Sequence, residues 1–84
     1  MTQLDMLAVD DLVREIARAL VDEPDAVAVE TVSRDENTVL RLRVAPQDVG
    51  KVIGKQGRIA NALRTVAKAA AMKEKKKVYV EIVA

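Results

Sequence analysis

Apolar residues at spacings of three and four mark a helix near the start of the chain, since this spacing places them along one helical face. The members of this row are Val9, Leu12 or Val13, Ile16 and Leu20. We expect the helix to begin at Asp5 or Asp10 and to end at Val21, with residues 1–4 frayed. The helix stops before Pro24 because the residue that precedes a proline disfavours the helical conformation.

Alternation of apolar and polar residues then predicts strands over residues 26–33 and 38–45. The turn-forming residues 35–37 separate the two strands, and so short a connection predicts an antiparallel hairpin. Residues 78–83 alternate in the same way and predict a third strand. On the second strand the pattern places three apolar side chains on one face, Leu40, Leu42 and Val44, and opposite them Val39, Arg41 and Arg43.

Two helices are predicted between the hairpin and the last strand. The first begins at Pro46, because proline is tolerated in a first helical turn. The second runs over residues 58–73 and is rich in alanine, which favours helix and permits close approach by another element. The apolar side of the first helix consists of Val49, Val52 and Ile53, and the apolar row of the second of Ile59, Leu63, Val66 and Ala70.

The predicted order of elements is α-β-β-α-α-β, which indicates an α+β fold. The 84 residues suffice for a single domain, 1–84. Because the third strand returns through helices, it can lie parallel to one strand of the hairpin. We therefore expect a three-stranded mixed sheet with the helices packed on one of its faces.

All three glycines of the chain lie in one short stretch, residues 49–59. Gly54 and Gly57 enclose Lys55 and Gln56 between the two predicted helices. Glycine adopts left-handed conformations and lets another molecule approach the backbone closely, so this stretch predicts a tight turn with exposed backbone. The amides that open the following helix, at about Arg58, have no partners within that helix and are suited to a phosphate. The alternative is an ordinary helix-turn-helix with a glycine turn.

Charge is divided unevenly along the chain, although the formal net charge is only +1. Residues 1–36 carry three basic and ten acidic residues, a net −7, whereas residues 37–84 carry eleven basic and three acidic residues, a net +8. Such a division favours a face that meets a polyanion. The alternative is attraction between the two halves within the fold. The basic cluster at residues 73–77 is equally consistent with a helix cap and with a contact to nucleic acid.

Several function classes are excluded by composition. The chain has no cysteine and no histidine, so we expect no disulfide, no metal site, no cofactor and no catalytic residue. No apolar run approaches the length of a membrane span, and the first residues lack the basic start of a signal peptide. The expected location is the cytoplasm.

The glycine stretch carries the Ile-Gly-x-x-Gly signature of KH domains, and the order of elements resembles the bacterial, type II form. Two segments, 19–25 and 44–58, are similar to the small stand-alone KH proteins of bacteria, the KhpA type. The similarity covers nearly the whole chain. It implies a non-enzymatic protein that binds single-stranded RNA, with a role as a post-transcriptional regulator or RNA chaperone. It also implies a homodimer, or a heteromer with a larger KH protein of the KhpB type.

In this family the glycine loop clamps the RNA backbone, and a groove beside the loop receives the bases. Carried over by position, the RNA-binding residues are Val49, Gly50, Lys51, Val52, Ile53, Gly54, Lys55, Gln56, Gly57 and Arg58, with Arg64 and Lys68 as outer contacts. Leu40 and Leu42 would line the groove from the second strand, although we interpret them as core residues. Gly50 indicates either a close approach to the backbone or tight packing of two helices.

The single aromatic residue, Tyr79, limits how such a site works. Base stacking on rings cannot supply most of the affinity, so phosphate contacts and a narrow apolar groove must do so. One copy is then expected to bind weakly and with modest sequence preference. A protein-interaction module that uses the glycine loop and the alanine-rich helix is the alternative function.

Overall fold

The computed structural model describes residues 9–34, 37–72 and 77–84. Its elements in chain order are α1 (Val9–Leu20), β1 (Ala28–Arg34), β2 (Asn37–Arg43), α2 (Val49–Ile53), α3 (Arg58–Met72) and β3 (Lys77–Val83). The order is the expected one. Single turns of 3-10 helix come before β1, before α2 and before α3: Pro24–Ala26, Pro46–Asp48 and Lys55–Gly57.

The three strands form one sheet in the order β1-β2-β3. β1 and β2 are antiparallel, and Thr31 pairs with Leu40. β3 lies parallel to β2, and Val80 pairs with Leu40. The mixed sheet is therefore confirmed, and the structure identifies β2 as the hairpin strand that receives the parallel partner. Because β2 is central, β3 has one edge without a neighbouring strand in the described part of the chain.

The core lies between the inner face of the sheet and the helices. Its buried members are Val13, Ala17, Leu40, Leu42, Val44, Val52, Leu63, Ala67, Ala71, Val78 and Val80. The predicted alternation of β2 is confirmed, since Leu40 and Leu42 are buried while Arg41 and Arg43 are exposed. On the outer face Arg41 lies between Glu30, at 3.9 Å, and Glu81, at 3.2 Å. These exposed ion pairs contribute little to stability.

The apolar row predicted for α3 is wrong by part of a turn. The side chains that are buried are Ala60, Leu63, Ala67 and Ala71, whereas Val66 is 38% exposed. Small side chains face the sheet because they let the helix lie close to it. The prediction took the largest apolar residues as the buried ones. It therefore placed the buried face of α3 to one side of the face that carries the buried alanines.

Element boundaries differ from prediction by a few residues. β1 begins two residues late, because Pro24–Ala26 forms a turn in which the N–H of Val27 donates to the carbonyl of Pro24 at 3.1 Å. The structure has α2 begin at Val49, after the Pro46–Asp48 turn. The predictions for residues 1–8, for the turn at 35–36 and for residues 73–76 lie outside the described residues. No helix among the described residues is long and apolar enough to cross a membrane.

Candidate nucleic-acid interface

The connection between α2 and α3 is a tight turn with three residues in left-handed backbone conformations. Gly54 and Gly57 both have φ of +75°, and Gln56 has φ of 56°. Two backbone hydrogen bonds hold the ends of the turn, from the N–H of Gly54 to Gly50 at 2.9 Å and from the N–H of Gly57 to Gly54 at 3.2 Å. The predicted glycine turn between two helices is therefore present.

The two glycines are required for different reasons. A Cβ at Gly54 would lie 2.7 Å from Cγ1 of Ile59, too close for any side chain. A Cβ at Gly57 would meet nothing within 4 Å, so only its positive φ favours glycine there. Gly50 is exposed, and a Cβ there also meets nothing within 4 Å. Tight packing of two helices therefore does not explain Gly50.

The tip of the turn presents polar side chains and exposed backbone. Lys55, Gln56 and Arg58 are exposed and line a shallow depression of about 280 Å³. Within the described part of the chain, neither Lys55 nor Arg58 forms an ion pair. The amide of Arg58 donates to the carbonyl of Lys55. Contrary to the expectation from the sequence, this amide is therefore not available to a phosphate. The cations and the remaining bare backbone are the groups that an anion would meet at the tip.

Lys51, expected among the RNA-binding residues, is held by two carboxylates. Its Nζ lies 3.3 Å from Oδ2 of Asp22 and 3.5 Å from Oδ1 of Asp48. Asp22 raises the pKa of Lys51 above its ordinary value by hydrogen bond and by charge. The ammonium is therefore directed toward the turn after α1 and is largely compensated. Its charge is therefore less available to an anion than the charges of Lys55 and Arg58.

Asp48 is the one residue of this region that sequence reasoning missed. It is fully buried, and its Oδ2 accepts the backbone N–H of Glu23 at 3.1 Å. Burial raises the pKa of Asp48, but the backbone N–H groups of Glu23 and Asp22 and the Lys51 ammonium outweigh burial and hold the pKa below its ordinary value. Asp48 thereby ties the start of α2 to the turn that follows α1. A position just before a helix is typical of a capping residue, but Asp48 makes no side-chain capping bond to α2.

The apolar wall of the site differs from the expected one. Val52 is 0% exposed and belongs to the core, so it has no surface to offer a base. Val49 is partly buried against the core, and Ile53 is 37% exposed. Leu40 and Leu42 are buried on the inner face of β2, as the core interpretation expects. Of the five apolar residues assigned to the groove, Ile53 is therefore the one with a substantial exposed surface.

A groove does adjoin the glycine turn, and most of its strand side is β3. It measures about 520 Å³. The helix side comprises Ile53, Gly57, Ala60 and Arg64, and the strand side Tyr79, Val80, Glu81 and Ile82 of β3 with Val39 of β2. The residues of β3 were not expected here, since the order of elements does not reveal which strand ends at the edge of the sheet.

The two outer candidates, Arg64 and Lys68, lie along this edge on α3. Nε of Arg64 donates to the carbonyl oxygen of Val80 at 3.2 Å, which fixes the guanidinium against β3. Nη1 of Arg64 is 3.5 Å from Oδ1 of Asn61. Lys68 is exposed one helical turn further along. Arg64 thus lines the groove while it also fastens α3 to the open edge of the sheet.

One known protein family matches almost all of the described chain. The model of the KhpA/KhpB KH domain matches residues 10–82. The RNA-binding protein KhpA of Caldanaerobacter subterraneus subsp. tengcongensis is 60% identical over 73 residues, which are 87% of this chain and 97% of that protein. The RNA-binding protein KhpA of Bacillus subtilis is 48% identical over 73 residues, 87% of this chain and 90% of that protein.

Two solved structures share the fold. Aquifex aeolicus Era bound to GDP.AlF4- aligns with a TM-score of 0.60 at 23% identity, over 88% of this chain and 29% of that one. Era in complex with MgGDPNP and nucleotides 1506–1542 of 16S ribosomal RNA gives a TM-score of 0.60 at 22% identity, over 88% of this chain and 28% of that one. This chain thus spans less than a third of the length of either Era chain.

Proposed function

Because this chain belongs to the KhpA/KhpB family of KH domains, we propose that it binds single-stranded RNA through the turn between α2 and α3. The observation that carries the proposal is the turn itself. Its backbone is bare at Gly54 and Gly57, exposed cations flank it, and a groove opens beside it. Family membership also agrees with a binding protein that catalyses no reaction.

The relatives support RNA as the ligand. The most similar ones carry the name RNA-binding protein, and one structure with the same fold is a complex with ribosomal RNA. The phosphates of about four nucleotides would follow the glycine turn, as in other KH domains. Lys55 and Arg58 supply charge to these phosphates. Gln56, at the tip between them, supplies a neutral hydrogen-bonding group.

Bases would lie in the groove between Ile53 and β3. This groove has an apolar wall but only one ring at its margin, Tyr79. Contacts of this kind give modest sequence preference and weak binding by a single domain. A role as a post-transcriptional regulator or RNA chaperone in the cytoplasm suits such a module, and pairing with a larger KhpB-type protein would add further contacts to the same RNA.

The test is a double variant at the tip, Lys55→Asp with Gln56→Asp, measured by fluorescence anisotropy with a short single-stranded RNA at low salt. We expect binding to be lost while the thermal unfolding curve stays close to that of the wild type, because both side chains are exposed. The matched control is Arg18→Asp with Ala19→Asp, which makes the same change in charge on the exposed side of α1. Equal loss in both variants, or none in the tip variant, would contradict the proposal.

Self-association is a second candidate function, and an exposed stripe on α3 favours it. Ala62, Val66 and Ala69 all face solvent at helical spacing. The other alanines that motivated this interpretation, Ala60 and Ala67, are used within the core. Sedimentation of the wild type and of Val66→Asp tests this surface. A dimer that dissociates in the variant supports it, and a wild type that remains monomeric at high concentration contradicts it.

A further inference from the structure

The groove beside the glycine turn continues past Arg64 into a second depression. α3 and β3 lie side by side, and residues 60, 64, 68 and 72 of α3 repeat at a spacing of four, one above the other on the helix. The second depression measures about 300 Å³ and is lined by Lys68, Met72, Lys77, Val78 and Tyr79. Tyr79 lines both depressions. The two therefore adjoin at Tyr79, along the edge of β3 that pairs with no strand among the described residues.

The chemistry of the second depression differs from that of the groove. Tyr79 is 50% exposed and Met72 is 72% exposed, so a flat ring and a flexible thioether face solvent together. Lys68 and Lys77 are exposed beside them. Among the described residues, neither lysine forms an ion pair. Glu81, the nearest acid along β3, is bound to Arg41 at 3.2 Å.

An apolar surface with a ring and two ammonium groups matches a nucleotide. Any of the four bases can stack on an aromatic face, and the ammonium groups neutralise the phosphate charge. A second copy that bound through the same surface would bring the same lysines to it, which disfavours such a pair as the occupant. Continuity with the groove favours the same RNA strand that the glycine turn holds.

We propose that Lys68, Met72, Lys77 and Tyr79 form a subsite for one further nucleotide, whose base stacks on the ring of Tyr79. The subsite rests on the proposed function, because the strand reaches it from the groove beside the glycine turn. It takes any base, since stacking uses the face of the base and not its hydrogen-bonding edge. The hydrogen bond between Arg64 and Val80 marks the boundary between the two depressions.

The subsite makes affinity depend on RNA length. An RNA of about four nucleotides fills the glycine turn and its groove, whereas an RNA about twice as long also reaches Tyr79. Tyr79 is the only aromatic residue of the chain, which has no tryptophan, so its emission reports this position without a label. The longer RNA should quench that emission on binding, and the shorter RNA should leave it unchanged.

The experiment compares Tyr79→Leu and Tyr79→Phe with the wild type, using oligouridylate and oligoadenylate of both lengths. We expect Tyr79→Leu to weaken the longer RNAs by about fivefold or more, with no change for the shorter ones. Tyr79→Phe keeps the ring and should bind both lengths as the wild type does. Lys68→Met should weaken only the longer RNAs and make their binding less salt-dependent.

Two outcomes would overturn the subsite. If Tyr79→Leu weakens short and long RNAs equally, Tyr79 acts within the first groove. If neither length responds, no base stacks on Tyr79. Both outcomes are distinct from failure of the proposed function, which is read from the short RNA with the Lys55→Asp and Gln56→Asp double variant. Thermal unfolding of Tyr79→Leu checks that the exposed substitution leaves the fold intact.

Discussion

Ile59 occupies the space that a side chain at position 54 would need. An ideal Cβ on Gly54 falls 2.7 Å from its Cγ1 and 3.0 Å from its Cβ and Cδ1. Ile59 belongs to the first turn of α3 and packs against the core, while Gly54 ends α2. The Gly54 backbone therefore lies so close to the Ile59 side chain that the turn between the two helices leaves no room for a Cβ at position 54.

Substitution of each glycine by alanine should give a different result. Gly54→Ala should lower the free energy of unfolding by about 3 kcal/mol, because the backbone region at φ 75° and ψ 176° is nearly restricted to glycine and Ile59 blocks the Cβ. Gly57→Ala should cost about 1 kcal/mol, since only its conformation is strained. Gly50→Ala should add about 1 kcal/mol, because it lies in a helix with open space around it.

Urea unfolding of the three variants checks these values. Equal costs at Gly54 and Gly57 would show that the contact with Ile59 is not what restricts position 54. The RNA affinity of Gly50→Ala tests whether an RNA strand approaches the backbone at position 50. A stabilised variant that binds RNA less tightly would mean that the strand passes close to the Gly50 backbone.

Gln56 holds a left-handed conformation without being glycine, with φ of 56° and ψ of 26°. Relief of this strain in Gln56→Gly should raise the free energy of unfolding by about 1 kcal/mol. If the Gln56 side chain contacts phosphate, the same variant should bind RNA less tightly. Gln56→Asn is the matched control, because asparagine tolerates the left-handed region and keeps an amide. Thermal unfolding and anisotropy on the same samples separate strain from contact.

The sequence reveals the order of elements because periodicity, proline and glycine act locally. The turn at residues 54–57 was predicted for the same reason. Two features depend on packing across the chain and were missed. The face of α3 was misassigned because Ala60 and Ala67 are buried in place of Val66. The contribution of β3 to the groove was missed, because the position of β3 at the edge of the sheet follows only from pairing between distant segments.

Charge on Lys51 illustrates the same limit. Its place beside the glycine turn predicted a phosphate contact, but Asp22, 29 positions earlier in the chain, binds its Nζ at 3.3 Å. Fully buried Val52 likewise looked like a groove wall, because an apolar helix face adjoining a turn has the same sequence pattern whether it faces bases or a core. Neither distinction is present in local spacing.

Salt dependence of RNA binding should reflect this arrangement. Each phosphate neutralised on a single strand contributes about −0.7 to the slope of log K against log salt. Lys55→Ala and Arg58→Ala should each flatten the slope by about that amount and weaken all sequences alike. Lys51→Met should flatten the slope less, because two carboxylates already compensate its charge.

Ile53→Ala is the control for this series. It removes an apolar contact and releases no counterions, so binding should weaken with the slope unchanged. Anisotropy titrations over a range of salt concentrations measure every slope. A slope that responds to Lys51 as strongly as to Lys55 would contradict the structural assignment of Lys51.

Asp48 should make the free energy of unfolding depend on pH in the acidic range. Its pKa is lowered from an ordinary value of 3.8, so its charged form stabilises the fold above that value and the contribution is lost as pH falls through the lowered pKa. Lys51 has a raised pKa, so its contribution is present below the ordinary value of 10.5 and is lost as pH rises through the raised value. The stabilisation from Asp48 and Lys51 is therefore fully present between their ordinary pKa values of 3.8 and 10.5.

Asp48→Asn tests the acid limb, because asparagine can still accept the N–H of Glu23 while it loses the charge. The variant should be less stable than the wild type at neutral pH, and the difference should shrink below about pH 4. Asp25→Asn, at an exposed position in the Pro24–Ala26 turn that follows Glu23, is the matched control. Urea unfolding across this range measures the difference, and a gap that stays constant with pH would rule out the charge of Asp48 as its cause.

The placement of β3 also has a consequence for synthesis on the ribosome. Residues 54–57 are synthesised before β3, yet the groove beside them has residues 79–82 of β3 on its strand side. Chains are made from the N-terminus at about 5–20 residues per second. The segment that forms the glycine turn is therefore complete before the groove beside it can form. If the turn binds RNA as proposed, a groove for bases exists only after the last strand has been made and has docked onto β2.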